Sequence, residues 1–130
     1  MQAIGTGWGV KGMVFRGDEV LVLFNPNGGY DLPGGRLEAN ESFCGGLRRE
    51  ILEETGIKKV VVTNSSAPWS FRNRSGRLVR GTTWVCHYVN GEVFLSSEHS
   101  GFAWKPVRQM KDLDIYHKYG LENLISGFTK

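Results

Sequence analysis

The chain has 130 residues, 40% of them hydrophobic and 22% charged, with a formal net charge of +3. That length suits one domain with one core, residues 1–130, and is too short for two. Its composition is ordinary for a globular protein, and no apolar run approaches the roughly 20 residues that a membrane span needs.

The first residues, Met1-Gln2-Ala3-Ile4-Gly5-Thr6-Gly7, have neither the basic nor the apolar region of a secretory signal, so a cytoplasmic location is expected. Residues 10–15 and 20–24 flank the polar stretch Arg16-Gly17-Asp18-Glu19 and read as a β-hairpin. Asn25-Pro26-Asn27-Gly28-Gly29 is a loop by composition. Tyr30 to Gly35 follows as an extended piece, because Pro33 biases Leu32 toward β conformations. The glycines at 34 and 35 let the backbone turn or approach a ligand.

Residues 42–55 read as a helix. Ser42 suits the N-cap, Gly56 suits the position past the end, and Phe43, Leu47 and Ile51 form an apolar stripe. Gly45 and Gly46 each cost about 1 kcal/mol relative to alanine inside a helix, which points to close packing against a strand. Cys44 and Cys86 belong to no CxxC pair and are too few for a disulfide framework, so both read as core residues in a reducing compartment. Residues 59–63, 68–71, 78–89 and 92–95 read as strands, with 72–77 as a hairpin turn. A final helix over 112–125 rests on Leu113, Tyr116, Leu121, Leu124 and Ile125. This order predicts an α/β fold with a mixed sheet between helices.

The helix carries the chemistry. Arg49, Glu50, Glu53 and Glu54 fall within six consecutive positions, and Glu50, Glu53 and Glu54 project together beside the apolar stripe. Carboxylates so crowded repel one another unless a cation lies between them, and Mg²⁺ or Mn²⁺ prefers such oxygen donors. Five glutamates (Glu38, Glu41, Glu50, Glu53, Glu54) fall within 17 residues, and Arg72, Arg74, Arg77 and Arg80 fall within nine. An acidic cluster plus a basic one suits a polyphosphate that brings its own metal.

The pattern G-x5-E-x7-R-E-U-x-E-E-x-G-U, with U aliphatic, is filled by Gly35, Glu41, Arg49, Glu50, Ile51, Glu53, Glu54, Gly56 and Ile57. It resembles the signature of the Nudix (MutT-like) hydrolases, as do the lead-in Leu32-Pro33-Gly34-Gly35 and the later segment Glu98 to Trp104. The resemblance implies the Nudix fold, an α/β/α sandwich, and hydrolysis of a nucleoside diphosphate linked to another moiety. It also implies that Glu50, Glu53, Glu54 and the Gly35 carbonyl bind Mg²⁺, with Mn²⁺ as a substitute. Arg49 would pair with a carboxylate of the box, Glu53 being in reach at i, i+4. Glu41 would support the metal site. Either Glu53 or Glu98 would be the general base.

Outside the box, Arg72 and Arg80 are candidates to grip phosphate or base, set against the plainer reading of a solvated hairpin tip. Trp69 or Phe71 is a candidate to stack on a nucleobase, and His99 reads as structural. The expected substrate is a small nucleotide, such as an NTP, a dNTP or a nucleotide sugar. ADP-ribose, dinucleoside polyphosphates and capped RNA stand behind it, and a homodimer is a further expectation. The alternative from another class is a non-hydrolytic nucleotide-sensing module. A nucleic-acid binder rests only on the basic pI near 9.0.

Overall fold

Alternation along the first two strands divides the core in two. In strand β1 (Gly9–Arg16), Val10 and Val14 point to one face of the sheet, and Met13 and Phe15 point to the other. Strand β2 (Glu19–Phe24) does the same, with Leu21 and Leu23 against Val20 and Val22. A strand buried on both faces needs a cover on each side. Helix α1 (Phe43–Thr55) supplies one, packing Leu47 and Ile51 onto Val10, Val14 and Leu21. The other comes from a 3-10 helix (Val107–Asp112), the buried residues Ile115 and Tyr119, and helix α2 (Leu121–Ile125). The result is an α/β/α sandwich. The computed structural model describes residues 7–115 and 118–126.

The sheet is mixed. Strands β3 (Tyr30–Asp31), β2, β1, β6 (Leu78–Asn90) and β5 (Lys59–Arg72) lie in that order. Strand β4 (Gly34–Arg36) pairs with the start of β1, and β7 (Gly101–Pro106) pairs along β2. Strand β1 runs parallel to β6, from Gly9 opposite Gly81 to Phe15 opposite His87, while its other partners are antiparallel.

Several elements differ from the sequence expectation. Residues 59–63 and 68–71 belong to one strand, β5, whose register shifts between Val62 and Ser66. There the Thr63 hydroxyl donates to the Val85 carbonyl and accepts from the Ser65 N–H, carrying the chain across the irregularity. Residues 92–95 are not a strand. Instead the Phe94 N–H bonds the Thr55 carbonyl at the end of α1, and just beyond the segment the Ser96 N–H bonds that of Glu54. Of the described residues in the expected final helix, only Leu121–Ile125 are α-helical, and Tyr116 lies outside the described residues.

Helix α1 has the expected ends. The Ser42 hydroxyl accepts the Gly45 N–H at 3.0 Å, and Gly56 closes the helix at φ +76° with its N–H on the Leu52 carbonyl. Gly46 is required by packing, though not against a strand. A Cβ there would meet Leu37 at 2.3 Å and Glu41 at 2.9 Å, both in the segment leading into the helix. Cys86 is wholly buried, and burial pushes its thiol up to about 12. Cys44 is half-buried, and both cysteines are free thiols.

Candidate active site

The site forms where α1 crosses β4. Pro33 gives its carbonyl to the Gly12 N–H, and the next residues pair with β1, Gly34 opposite Lys11 and Gly35 opposite Val10. Gly34 sits at φ +151°, and a Cβ on it would lie 2.0 Å from the Val10 carbonyl oxygen. Only glycine can bring the chain this close to β1. This approach presents the Gly34 N–H to the helix, where it donates to Glu54 Oε1 at 2.8 Å. Gly35 lies directly under the Glu50 carboxylate.

One arginine organises the box. The Arg49 guanidinium donates through Nε and Nη2 to the two oxygens of Glu41, and through Nη1 to Glu50 at 3.1 Å and Glu53 at 3.2 Å. Nη2 also reaches the Arg36 carbonyl at 3.2 Å. Five donors in a rigid fork make this possible for arginine alone. Surrounded by acids, Arg49 has its pKa raised, chiefly by the bond to Glu41. Glu41 is correspondingly held below the usual carboxylate range, helped by the Glu38 N–H on its Oε1. Both Glu41 oxygens are thus engaged in bracing the loop before α1.

The three helix glutamates occupy different environments. Glu53 is exposed, its side chain 58% accessible. Glu50 is largely covered, and burial raises its pKa against the opposing pull of Arg49. Glu54 is buried, and desolvation raises its pKa to about 7 despite the Gly34 N–H and nearby Lys11. Desolvation of this kind favours the proton unless a cation takes its place.

A second group converges on Glu54 from the other side. The Ser96 N–H bond to the Glu54 carbonyl anchors the segment that carries Glu98 and His99. Ligand atoms of Glu54, Glu98 and His99 lie within 4.8 Å of one another, the one such triad found among the described residues. Glu50 and Glu53 are linked to the box through Arg49 instead. Behind His99, its Nε2 lies 3.6 Å from Asp31, and Asp31 is bonded to Lys11 at 3.0 Å. Lys11 also donates to the Leu32 carbonyl and sits 5.1 Å above the Tyr119 ring. The sequence signal for this cluster was a lysine inside an otherwise apolar strand.

The remaining candidates divide. Trp69 and Arg80 line one cavity of about 540 Å³ with Trp8, Pro68, Ser70 and Leu78. The indole lies against Gly9 and Gly81, where any side chain would collide with it, and stacks on Phe71 at 5.8 Å. Its edge contact with Tyr119 at 4.9 Å connects this cavity to the Lys11 cluster. Arg72 is not part of that lining, and donates to the Gly76 carbonyl in the hairpin turn at 2.9 Å.

An α/β/α sandwich with a braced carboxylate helix facing a glycine-rich strand defines the class of protein. The family profile described as NUDIX domain matches residues 6–124. The chain belongs to the Nudix family. It is 33% identical over 101 residues to nucleoside triphosphatase NudI of Klebsiella pneumoniae (strain 342), covering 68% of this chain and 69% of that protein. It is 35% identical over 99 residues to NAD-capped RNA hydrolase NudC of Haemophilus influenzae (strain PittEE), covering 70% of this chain. That match spans only 36% of the NudC length, about a third. Among solved structures, a binary complex of the Caenorhabditis elegans Ap4A hydrolase superposes with a TM-score of 0.78 at 20% identity, covering 93% of each chain. Among the described residues, no helix is long and apolar enough to cross a membrane.

Proposed function

We propose that the chain is a Mg²⁺-dependent pyrophosphohydrolase that cleaves a phosphoanhydride bond in a nucleoside diphosphate linked to another moiety. The observation that carries this reading is the buried Glu54 carboxylate, desolvated yet faced by further donors. Such a group suits a hard divalent cation. Glu50, Glu53, Glu54 and the Gly35 carbonyl are the residues proposed to hold it, with Mn²⁺ as a substitute. When bound, the cation neutralises the diphosphate, lowers the pKa of water and stabilises charge on the leaving phosphate.

This chain's own residues supply the rest. Arg49 keeps Glu50 and Glu53 oriented while Glu41 braces it. A carboxylate accepts the proton of the attacking water. Glu53 shares its oxygen with Arg49, whereas Glu98 has no ion pair among the described residues. Glu53 and Glu98 are the two candidates for this base. Trp69 and Arg80 would receive the nucleoside end, in a cavity whose volume falls in the range of about 300–1,000 Å³ typical of small ligands.

A small nucleotide is the favoured substrate, an NTP, a dNTP or a nucleotide sugar. The NudI relative, whose name specifies a nucleoside triphosphatase, supports this over a larger share of its length than NudC supports capped RNA. The test is phosphate or pyrophosphate release from NTPs, dNTPs, nucleotide sugars, a dinucleoside tetraphosphate and NAD-capped RNA. Turnover that vanishes with EDTA and in Glu54→Gln supports the reading, and none on any substrate with Mg²⁺ or Mn²⁺ refutes it. Glu98→Gln retaining kcat within about threefold removes Glu98 as the base.

A further inference from the structure

Resting on the metal-dependent reading above, we propose that His99 is a nitrogen ligand to the divalent cation at Glu54 and Glu98. This imidazole shifts the site's preference from Mg²⁺ toward ions such as Co²⁺ and Ni²⁺. The box pattern does not include His99, and the sequence alone gave it a structural role.

Three observations carry the assignment. The first is convergence: a ring nitrogen of His99 and one oxygen each of Glu54 and Glu98 lie within 4.8 Å of one another. Two atoms bound at about 2.1 Å to one ion lie at most about 4.2 Å apart, so small side-chain adjustments close the set. The second is an orphaned atom. The His99 side chain is only 5% exposed, yet its Nδ1 is buried without a hydrogen-bond partner. Buried polar atoms are normally satisfied, so an unpartnered nitrogen on a ring that converges with two carboxylates calls for a partner.

The third is the support behind the ring. Nε2 faces Asp31, whose carboxylate is fixed by Lys11 and by the Leu32 N–H at 2.8 Å. A carboxylate behind one imidazole nitrogen is the usual way a ligating histidine is oriented, because it holds the proton on that nitrogen and leaves the lone pair on the other. Here the other nitrogen is the orphan. Carboxylates alone suit Mg²⁺, whereas adding imidazole favours later divalent metals.

The experiment uses the full chain loaded with Mn²⁺ as a spin probe, read by electron spin echo envelope modulation. The wild type should show ¹⁴N modulation from a directly bound imidazole, and His99→Gln should lose it while Mn²⁺ stays bound. By titration calorimetry, His99→Gln should weaken Co²⁺ binding about tenfold or more, with Mg²⁺ binding changed less than about threefold. Asp31→Asn, which keeps the ring, should weaken Co²⁺ about tenfold.

Bound Mn²⁺ without ¹⁴N modulation in the wild type overturns the assignment and leaves metal-dependent hydrolysis standing. Modulation that persists in a folded His99→Gln overturns it as well. If that variant does not fold, the wild-type spectrum and Asp31→Asn decide. Absence of any saturable metal binding overturns both readings.

Discussion

Adding one methyl group at Gly35 asks whether the position of Glu50 matters to chemistry rather than to folding. A Cβ built there lies 2.4 Å from the Glu50 carboxyl carbon, and 2.5 and 2.6 Å from its oxygens. Ordinary contact begins near 3.4 Å, so the carboxylate must retreat by about 1 Å. Gly35 has no positive φ, and the colliding group is the end of a flexible side chain, so the fold can absorb the change. We expect Gly35→Ala to cost about 1 kcal/mol or less in stability, a fall in Tm of about 4 °C at most. A displacement of 1 Å in a positioned group costs on the order of 10²-fold in rate.

The neighbouring substitution is the control. In Gly34→Ala the new methyl meets the Val10 carbonyl oxygen at 2.0 Å and the Lys11 Cα at 2.8 Å, at φ +151°. Backbone meets backbone there, and a loss of about 3 kcal/mol or more is expected. Thermal melts and kcat/KM with Mg²⁺ on the best substrate separate the two. If Gly35→Ala holds kcat/KM within about threefold of the wild type, the placement of Glu50 under the glycine strand is irrelevant to catalysis.

Arg49→Ala removes the bonds to Glu41, Glu50 and Glu53 and leaves partly covered carboxylates unpaired. With about a quarter of the side chain exposed and solvent screening discounted, the expected loss is about 2–3 kcal/mol, or roughly 10 °C in Tm. Arg49→Lys keeps the charge without the fork and should recover less than half of it, while a shift under about 2 °C for alanine would sink the bracing role. In metal-free protein, Glu54 titrates near 7 when folded and near about 4.3 when unfolded. Between those values the folded state keeps a proton that the unfolded state has released. Stability should therefore fall as pH rises from about 4.3 to about 7 and then level. Urea midpoints in EDTA for wild type minus Glu54→Gln should show that slope, and a flat or rising difference contradicts it.

What the sequence made legible is what short-range chemistry fixes. Ser42 and Gly56 bound α1 because a hydroxyl cap and a left-handed glycine are local requirements. The Arg49–Glu53 contact follows from helix geometry alone. Partners chosen by tertiary structure were harder to read. Residues 92–95 have strand-like composition, yet the Phe94 N–H, followed by that of Ser96, bonds the end of α1, and that detour delivers Glu98 to Glu54. Asn64, Ser65 and Ser66 looked like a break, but β6 continues opposite them and the strand crosses by a register shift. The Lys11–Asp31–His99 cluster joins three distant segments, so no spacing rule announces it. Arg80 and Trp69 share a cavity because Trp69 pairs with Gly81 across the hairpin, while Arg72 is drawn to its own turn.

The parallel pairing of β1 with β6 also sets an order of events during synthesis. Every partner on that edge of β1 lies 72 positions further along the chain. At about 5–20 residues per second, the strand waits roughly 4 to 14 s for its neighbour to be made. During that interval an apolar strand, Val10 to Phe15, has an open edge suited to pairing with other chains. Closing so long a loop is entropically costly and tends to slow folding. Nascent chains stalled before residue 78 should therefore engage chaperones and resist compaction, whereas those released after β6 should collapse in a single cooperative step.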